Sequence, residues 1–107
     1  MTPTLDVTAL ASDLIRHPSV SPDPGESQIA LGETLSAMGF EVFHLPFGEG
    51  EERTPTLFAR RGQGGSHLCF AVHTYVVPPG QQDWRPGPFA GSVEQGIRYG
   101  RGAGDMK

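Results

Sequence analysis

Residues 67–73, HLCFAVH, constrain the fold more than any other stretch. Leu68 to Val72 is apolar without interruption, as in a strand covered on both faces, not one half in water. A strand of that kind needs cover above and below, so it predicts a layered α/β arrangement. It ends in His73 and continues into TYVVPPG, where Pro78, Pro79 and Gly80 supply turn chemistry. Proline presets φ there and glycine accepts a positive one. The C-terminal ends of strands are where open α/β sheets place their ligand sites. His73 is therefore a candidate site residue.

The other elements follow from periodicity and punctuation. Val7, Leu10, Ala11, Leu14 and Ile15 recur at spacings of three and four, which predicts a helix over 5–17 with Thr4 as its N-cap. The string HPSVSPDPG, residues 17–25, breaks that helix with three prolines and a glycine. A second helix is predicted over 26–38, with Ile29, Leu31, Leu35 and Met38 as its apolar positions and Gly39 as its left-handed C′ residue. FEVFHL, residues 40–45, reads as a strand, and 46–54 as an acidic, solvated loop holding Glu49, Glu51 and Glu52. TLFAR, residues 56–60, is a further strand. The turn-rich RGQGGS after it predicts an antiparallel hairpin with 67–73. GSVEQGIRYG, residues 91–100, reads as a short hairpin around Gln95-Gly96.

Composition narrows the class. A 107-residue chain with 36% hydrophobic residues supports one modest core. Its 15 Gly and 10 Pro make it rich in turns, so the piece is folded but loop-heavy. A net charge of −4 and no Lys/Arg cluster argue against nucleic-acid and anionic-membrane partners. No apolar run approaches the length a bilayer requires, and the first residues read as the start of a helix and not as a signal peptide. The single cysteine excludes an internal disulfide framework and fits a reducing compartment, with the cytoplasm as the expected location.

Two residues carry candidate chemistry. His73 ends an apolar strand, and Asp105 lies in the glycine-rich closing string YGRGAGDMK. A strand-end imidazole and a loop carboxylate are donors that a hydrolytic zinc site collects. Alone, each has an ordinary structural reading: a satisfied strand-end histidine and a turn aspartate. Two donors are also fewer than the three of a catalytic site or the four of a structural one. Cys69, inside the apolar run, reads as a buried small hydrophobe. His44 and His67 read as strand positions, and His17 as a helix C-terminus where a cation is favourable. Trp84 and Phe89 in DWRPGPF read as packing anchors of the long loop.

Four strings stand in an ordered series: LIRHPSVSPDPG, HLCFAVHTYVVPPG, DWRPGPF and GRGAGDMK. Together they resemble the N-terminal part of the zinc aminoacylase/carboxypeptidase family. The arginine of GRGA and the VVPPG string favour its diaminopimelate-desuccinylating branch over the acetylornithine-deacetylating one. The resemblance covers essentially the whole chain but only the first quarter to third of a full family member. It implies an α/β fold: part of a zinc-peptidase-like layered domain with a mixed sheet, residues 1–107 being cut before the rest of the catalytic domain and the dimerisation domain.

The resemblance also implies a site. A histidine matching His73 binds one Zn²⁺ and an aspartate matching Asp105 bridges two, Co²⁺ being an alternative metal. Water acidified by the metals attacks the amide of a small N-acyl amino acid, and a glutamate beyond Lys107 acts as general base. The intact relative would be a homodimer that hydrolyses N-succinyl-LL-2,6-diaminopimelate on the lysine and diaminopimelate route. With two inherited ligands, this chain is expected to bind zinc weakly or not at all and to be inactive alone. A related deacetylase fragment and a non-catalytic interaction remnant are the alternatives.

The chain departs from the family pattern G-H-T-D, reading Val72-His73-Thr74-Tyr75 instead. The family's aspartate orients the imidazole or assists the metals from behind the ligands, and loss of such a partner costs roughly 10–100-fold. Tyr75 thus stands at a catalytic position with the wrong chemistry: its phenol is bulkier than a carboxylate and neutral near pH 7. Val72 adds a side chain where the family has none, and Gly104 replaces the usual alanine.

Overall fold

The computed structural model describes residues 4–20 and 26–107. The prolines and glycine expected to break the chain at 22–25 lie outside the described residues. The order of elements is α1 (Val7–Arg16), α2 (Ser27–Ala37), β1 (Glu41–His44), a 3₁₀ turn at Gly50–Glu52, β2 (Leu57–Arg60), β3 (Val93–Glu94) and β4 (Ile97–Arg98). The chain is thus α/β, with two small antiparallel sheets, β1–β2 and β3–β4.

Helix α1 is capped by Asp6, not Thr4: the Asp6 carboxylate accepts from the backbone N–H groups of Thr8 at 2.9 Å and Ala9 at 3.2 Å. A carboxylate reaches two unpaired amides at once and suits the positive end of the helix, which a threonine hydroxyl does less well. The predicted apolar stripe buries Leu14 and Ile15 together with Ser12. His17 closes α1 as its C-cap, as read from the sequence.

Helix α2 ends as Gly39 foretold. Gly39 takes φ +92°, its N–H bonds to Ser36 O, and the N–H of Phe40 reaches back to Leu35 O. These two bonds satisfy carbonyls that the helix itself leaves open. The apolar face of α2 is less used than its spacing suggests: Ile29 is exposed, and the fully buried positions are Ser27 and Gly32. Gly32 lies against Val42 and His44 of β1, so the helix rests on the β1–β2 hairpin.

The principal correction concerns 67–73. Strand β2 pairs with β1 (Glu41↔Arg60 to His44↔Leu57) and not with 67–73. That pairing opposes Phe43 to Phe58, ring centroids 6.0 Å apart, and sets Arg60 on Glu41 at 2.7 Å. Cross-strand pairs of this kind are what fix a register. RGQGGS instead contributes left-handed Gly62, Gly64 and Gly65 but no two-residue hairpin turn. Residues 67–73 run outside any ladder, with Leu68 83%, Phe70 80% and Val72 64% exposed. Cys69 is exposed rather than buried, and His67 is not a strand residue. Apolarity alone does not choose a partner, and no described strand pairs with this run. Among the described residues both sheets are antiparallel, and parallel pairing is confined to the bridge Val20↔Val76.

The acidic loop, the second hairpin and Trp84 are as the sequence predicts. The acidic loop keeps Glu49, Glu51 and Glu52 in solvent and extends the first hairpin through Phe47 and Thr54. The second hairpin turns at Gln95 (φ 52°) and Gly96 (φ 78°), two consecutive positive φ values that suit a tight two-residue turn. Trp84 is half-buried, its indole N–H donating to Pro79 O at 3.1 Å. The buried apolar core is small: Leu14, Ile15 and Val76. A radius of gyration of 15.3 Å exceeds the roughly 13 Å usual for a packed domain of about this length.

Candidate metal centre

The backbone before the candidate site is clamped by hydroxyls. Ser19 and Ser27 are fully buried, and both meet Thr74. Ser19 Oγ donates to Thr74 O, and Ser27 Oγ donates to Thr74 Oγ1 at 3.2 Å. Val76 N–H then bonds to Ser19 O at 2.9 Å. Buried hydroxyls require partners of this kind, and the pattern holds residues 74–76 against the segment that follows α1. His73 is carried on one end of that clamp.

Asp105 arrives by a separate route. The loop from Gly100 to Lys107 folds back on itself through Ala103 N–H to Gly100 O and Lys107 N–H to Gly102 O. Gly102 takes φ +89°, and a Cβ there would stand 2.6 Å from Val76 Cγ1. Only glycine satisfies both the dihedral and the close approach. Lys107 anchors the loop to the C-terminal end of α1, its ammonium donating to Leu14 O at 2.7 Å and His17 O at 2.6 Å. Burial lowers the Lys107 amine to about pKa 8.

The two routes bring the predicted pair together. His73 Nε2 lies 3.4 Å from Asp105 Oδ1. Both face a cleft of about 400 Å³ that Tyr75, Val76 and Arg101 also line. The other ring nitrogen, His73 Nδ1, stands 3.0 Å from Tyr75 O. A carbonyl only accepts, so a hydrogen bond at this contact has Nδ1 as its donor, while Nε2 is the ring nitrogen that faces the carboxylate.

That arrangement fits a metal. A ring nitrogen and a carboxylate oxygen 3.4 Å apart call for a proton or a cation between them. Zinc bonds of about 2.0–2.2 Å to nitrogen and oxygen, opened at a tetrahedral angle, separate their donors by roughly 3.3–3.6 Å. His73 and Asp105 have the donor types and the spacing of two ligands. Among the described residues, no group of three His, Cys, Asp or Glu side chains is placed to hold an ion. Two donors are fewer than the three of a catalytic site or the four of a structural one.

The Tyr75 side chain does not face the pair. Its hydroxyl donates to Pro55 O at 3.0 Å, an oxygen that also accepts from Gln28 Nε2 at 3.0 Å. Sequence reasoning missed Ser19, Ser27 and Thr74, whose buried hydroxyls carry no periodic signal. It also missed Arg101 as a cleft residue. Its guanidinium stacks over Trp84 at 5.1 Å, and its Nε is buried without a hydrogen-bond partner among the described residues.

With the geometry in place, comparison with known proteins identifies the kind of sequence this is. No family model matches the chain. Curated relatives nevertheless agree on an enzyme class, removal of a succinyl group. The chain is 58% identical over 98 residues to the succinyl-diaminopimelate desuccinylase of Gluconacetobacter diazotrophicus, covering 92% of this chain and 26% of that protein. It is 53% identical over 102 residues to the desuccinylase of Gluconobacter oxydans, covering 95% and 26%. It is 47% identical over 102 residues to that of Anaplasma marginale, again covering 95% and 26%. Over nearly its whole length the chain is similar to succinyl-diaminopimelate desuccinylases, as its motifs implied, and it spans about a quarter of the length of these relatives.

Proposed function

We propose that this chain supplies two metal ligands, His73 and Asp105, to a zinc-dependent hydrolase that releases succinate from N-succinyl-LL-2,6-diaminopimelate. The observation that carries the reading is the 3.4 Å approach of Nε2 to Oδ1 across one cleft, made by residues far apart in sequence. The identity to desuccinylases supports the substrate. Residues 1–107 then form part of a layered catalytic domain in a cytoplasmic homodimeric enzyme, with Zn²⁺ or Co²⁺ as the metal. No helix of the described residues is long and apolar enough to cross a membrane.

The chemistry divides between metal and protein. A bound divalent ion would polarise the amide carbonyl and acidify water near neutrality. The residues here do the holding: His73 presents Nε2, Tyr75 O stands against Nδ1, and Asp105 offers a carboxylate from a loop fastened to α1. The Ser19–Thr74–Ser27 clamp fixes where the imidazole stands. In this reading the general base and the remaining ligands come from residues other than His73 and Asp105.

A chimera tests the reading. Residues 1–107 replace the matching stretch of the Gluconacetobacter diazotrophicus desuccinylase, and succinate release is followed. The expected result is measurable turnover that falls by at least a hundredfold in His73→Ala and Asp105→Asn. Turnover that survives both substitutions would remove the two residues from the metal site.

A further inference from the structure

We infer that Arg101 selects the acyl group: its guanidinium receives the free carboxylate of a succinyl chain whose amide carbonyl stands at His73 and Asp105. The inference rests on the hydrolase reading for the place of the amide. The carboxylate partner is argued from the surroundings of Arg101 itself. Arg101 lines the same cleft as His73 and Asp105, and it shares a loop with Asp105.

The side chain is held in place yet has no counter-ion. Its guanidinium carbon lies 5.1 Å from the centroid of the Trp84 ring, a cation–π contact. Trp84 is tied in turn through its indole N–H to Pro79 O at 3.1 Å. The Arg101 backbone N–H donates to Pro88 O at 2.8 Å, and the next residue, Gly102, packs on Val76. Against this support the polar atoms are unused. Arg16, Arg60 and His73 each stand beside a carboxylate, but among the described residues none pairs with Arg101. Its Nε is buried with no hydrogen-bond partner there.

A guanidinium presents its N–H donors in a planar fork that matches a carboxylate. Held against an indole on a cleft wall, and unpaired, it is a receptor for an anion that the chain does not supply. A succinyl amide carries such an anion two methylenes from the carbonyl carbon, and an acetyl amide carries none on its acyl side. Arg101 therefore adds binding to the one and nothing to the other.

Trp84 is the single tryptophan of the chain, so its fluorescence reports on the contact. In the metal-free 107-residue chain, succinate should change that fluorescence saturably, and succinamide, its neutral diamide, should not. Arg101→Gln should abolish the succinate response. No saturable change, an equal response to succinamide, or a response that survives in Arg101→Gln overturns the proposal. Should the variant not fold, the comparison of succinate with succinamide in the unmodified chain still decides.

Catalysis gives a second readout. In the chimera, kcat/KM for N-succinyl-diaminopimelate is divided by that for the same compound with its succinyl carboxylate masked as a methyl ester. Arg101→Lys keeps the charge but not the fork. It should lower this ratio by about tenfold or more, the order of one hydrogen bond to a charged group, chiefly through KM. An unchanged ratio overturns the assignment. General damage to the fold slows both substrates alike and leaves the ratio where it was. The ratio tests Arg101 while His73→Ala and Asp105→Asn test the metal ligands, so either reading can fail while the other stands.

Discussion

At the scale of single residues, the site depends on groups with no chemistry of their own. Ser19 is fully buried, and its hydroxyl satisfies Thr74 O one residue from His73. Ser19→Ala leaves that carbonyl short of a donor in a region water does not reach. The cost should be about 1–3 kcal/mol of folding stability, read as a lower urea midpoint with an unchanged slope. The reciprocal pair His73 and Asp105 was legible in sequence because both residue types and their motifs are distinctive. Ser19 and Thr74 were not, since nothing in the order of residues says that a serine after His17-Pro18 meets a threonine beside the candidate ligand. Tyr75 was legible as a departure from a pattern, but not as a contact. Its partner, Pro55, is fixed only by the tertiary arrangement.

At the scale of elements, the helices and turns were readable because their determinants are local. Gly39 ends α2 through its own backbone freedom, and Gln95-Gly96 turns the second hairpin with two residues. The strand expected at 67–73 failed because apolarity says that a segment wants cover without naming its neighbour. Where β1 and β2 met, the pairs Phe43–Phe58 and Glu41–Arg60 named each other. Helix α1 offers a clean test of a local determinant. Asp6→Ala removes the acceptor of two amide hydrogen bonds and should cost about 1 kcal/mol, within the usual range of roughly 0.5–2 kcal/mol for such caps. Asp6→Asn should recover most of that loss in the same thermal or urea melt.

The whole molecule is open for its length. Its buried apolar core is Leu14, Ile15 and Val76, while Leu68, Phe70 and Val72 project into solvent on a segment with no strand partner among the described residues. An exposed apolar segment with free backbone groups recruits a covering surface or a second chain. The isolated 107-residue chain should therefore bind a hydrophobic dye and sediment as a concentration-dependent mixture. Phe70→Lys should reduce both effects. A monodisperse, dye-silent chain with a sharp reversible transition would count against this. Metal follows the same logic of a partly supplied environment. Two ligands should give weak, non-stoichiometric Zn²⁺ binding by calorimetry, weakened further in His73→Ala. Tight saturable uptake would mean that further ligands are recruited, for example from a second copy.

The fastening of α1 has a consequence in time. Arg98 reaches Thr8 O at 2.7 Å and Ser12 Oγ at 3.2 Å, Arg16 reaches Ala90 O, and Lys107 closes the far end of the helix. The surroundings of α1 are therefore assembled from residues 74 to 93 positions further along the chain. Closing so long a loop adds little at equilibrium, since each doubling of length costs only about 0.6 kcal/mol, but it dictates the order of events. A helix forms within about a microsecond, whereas synthesis at roughly 5–20 residues per second leaves α1 waiting several seconds for those partners. For that interval Leu14 and Ile15 are uncovered on a nascent chain. Helix α1 is made long before the residues that shelter it.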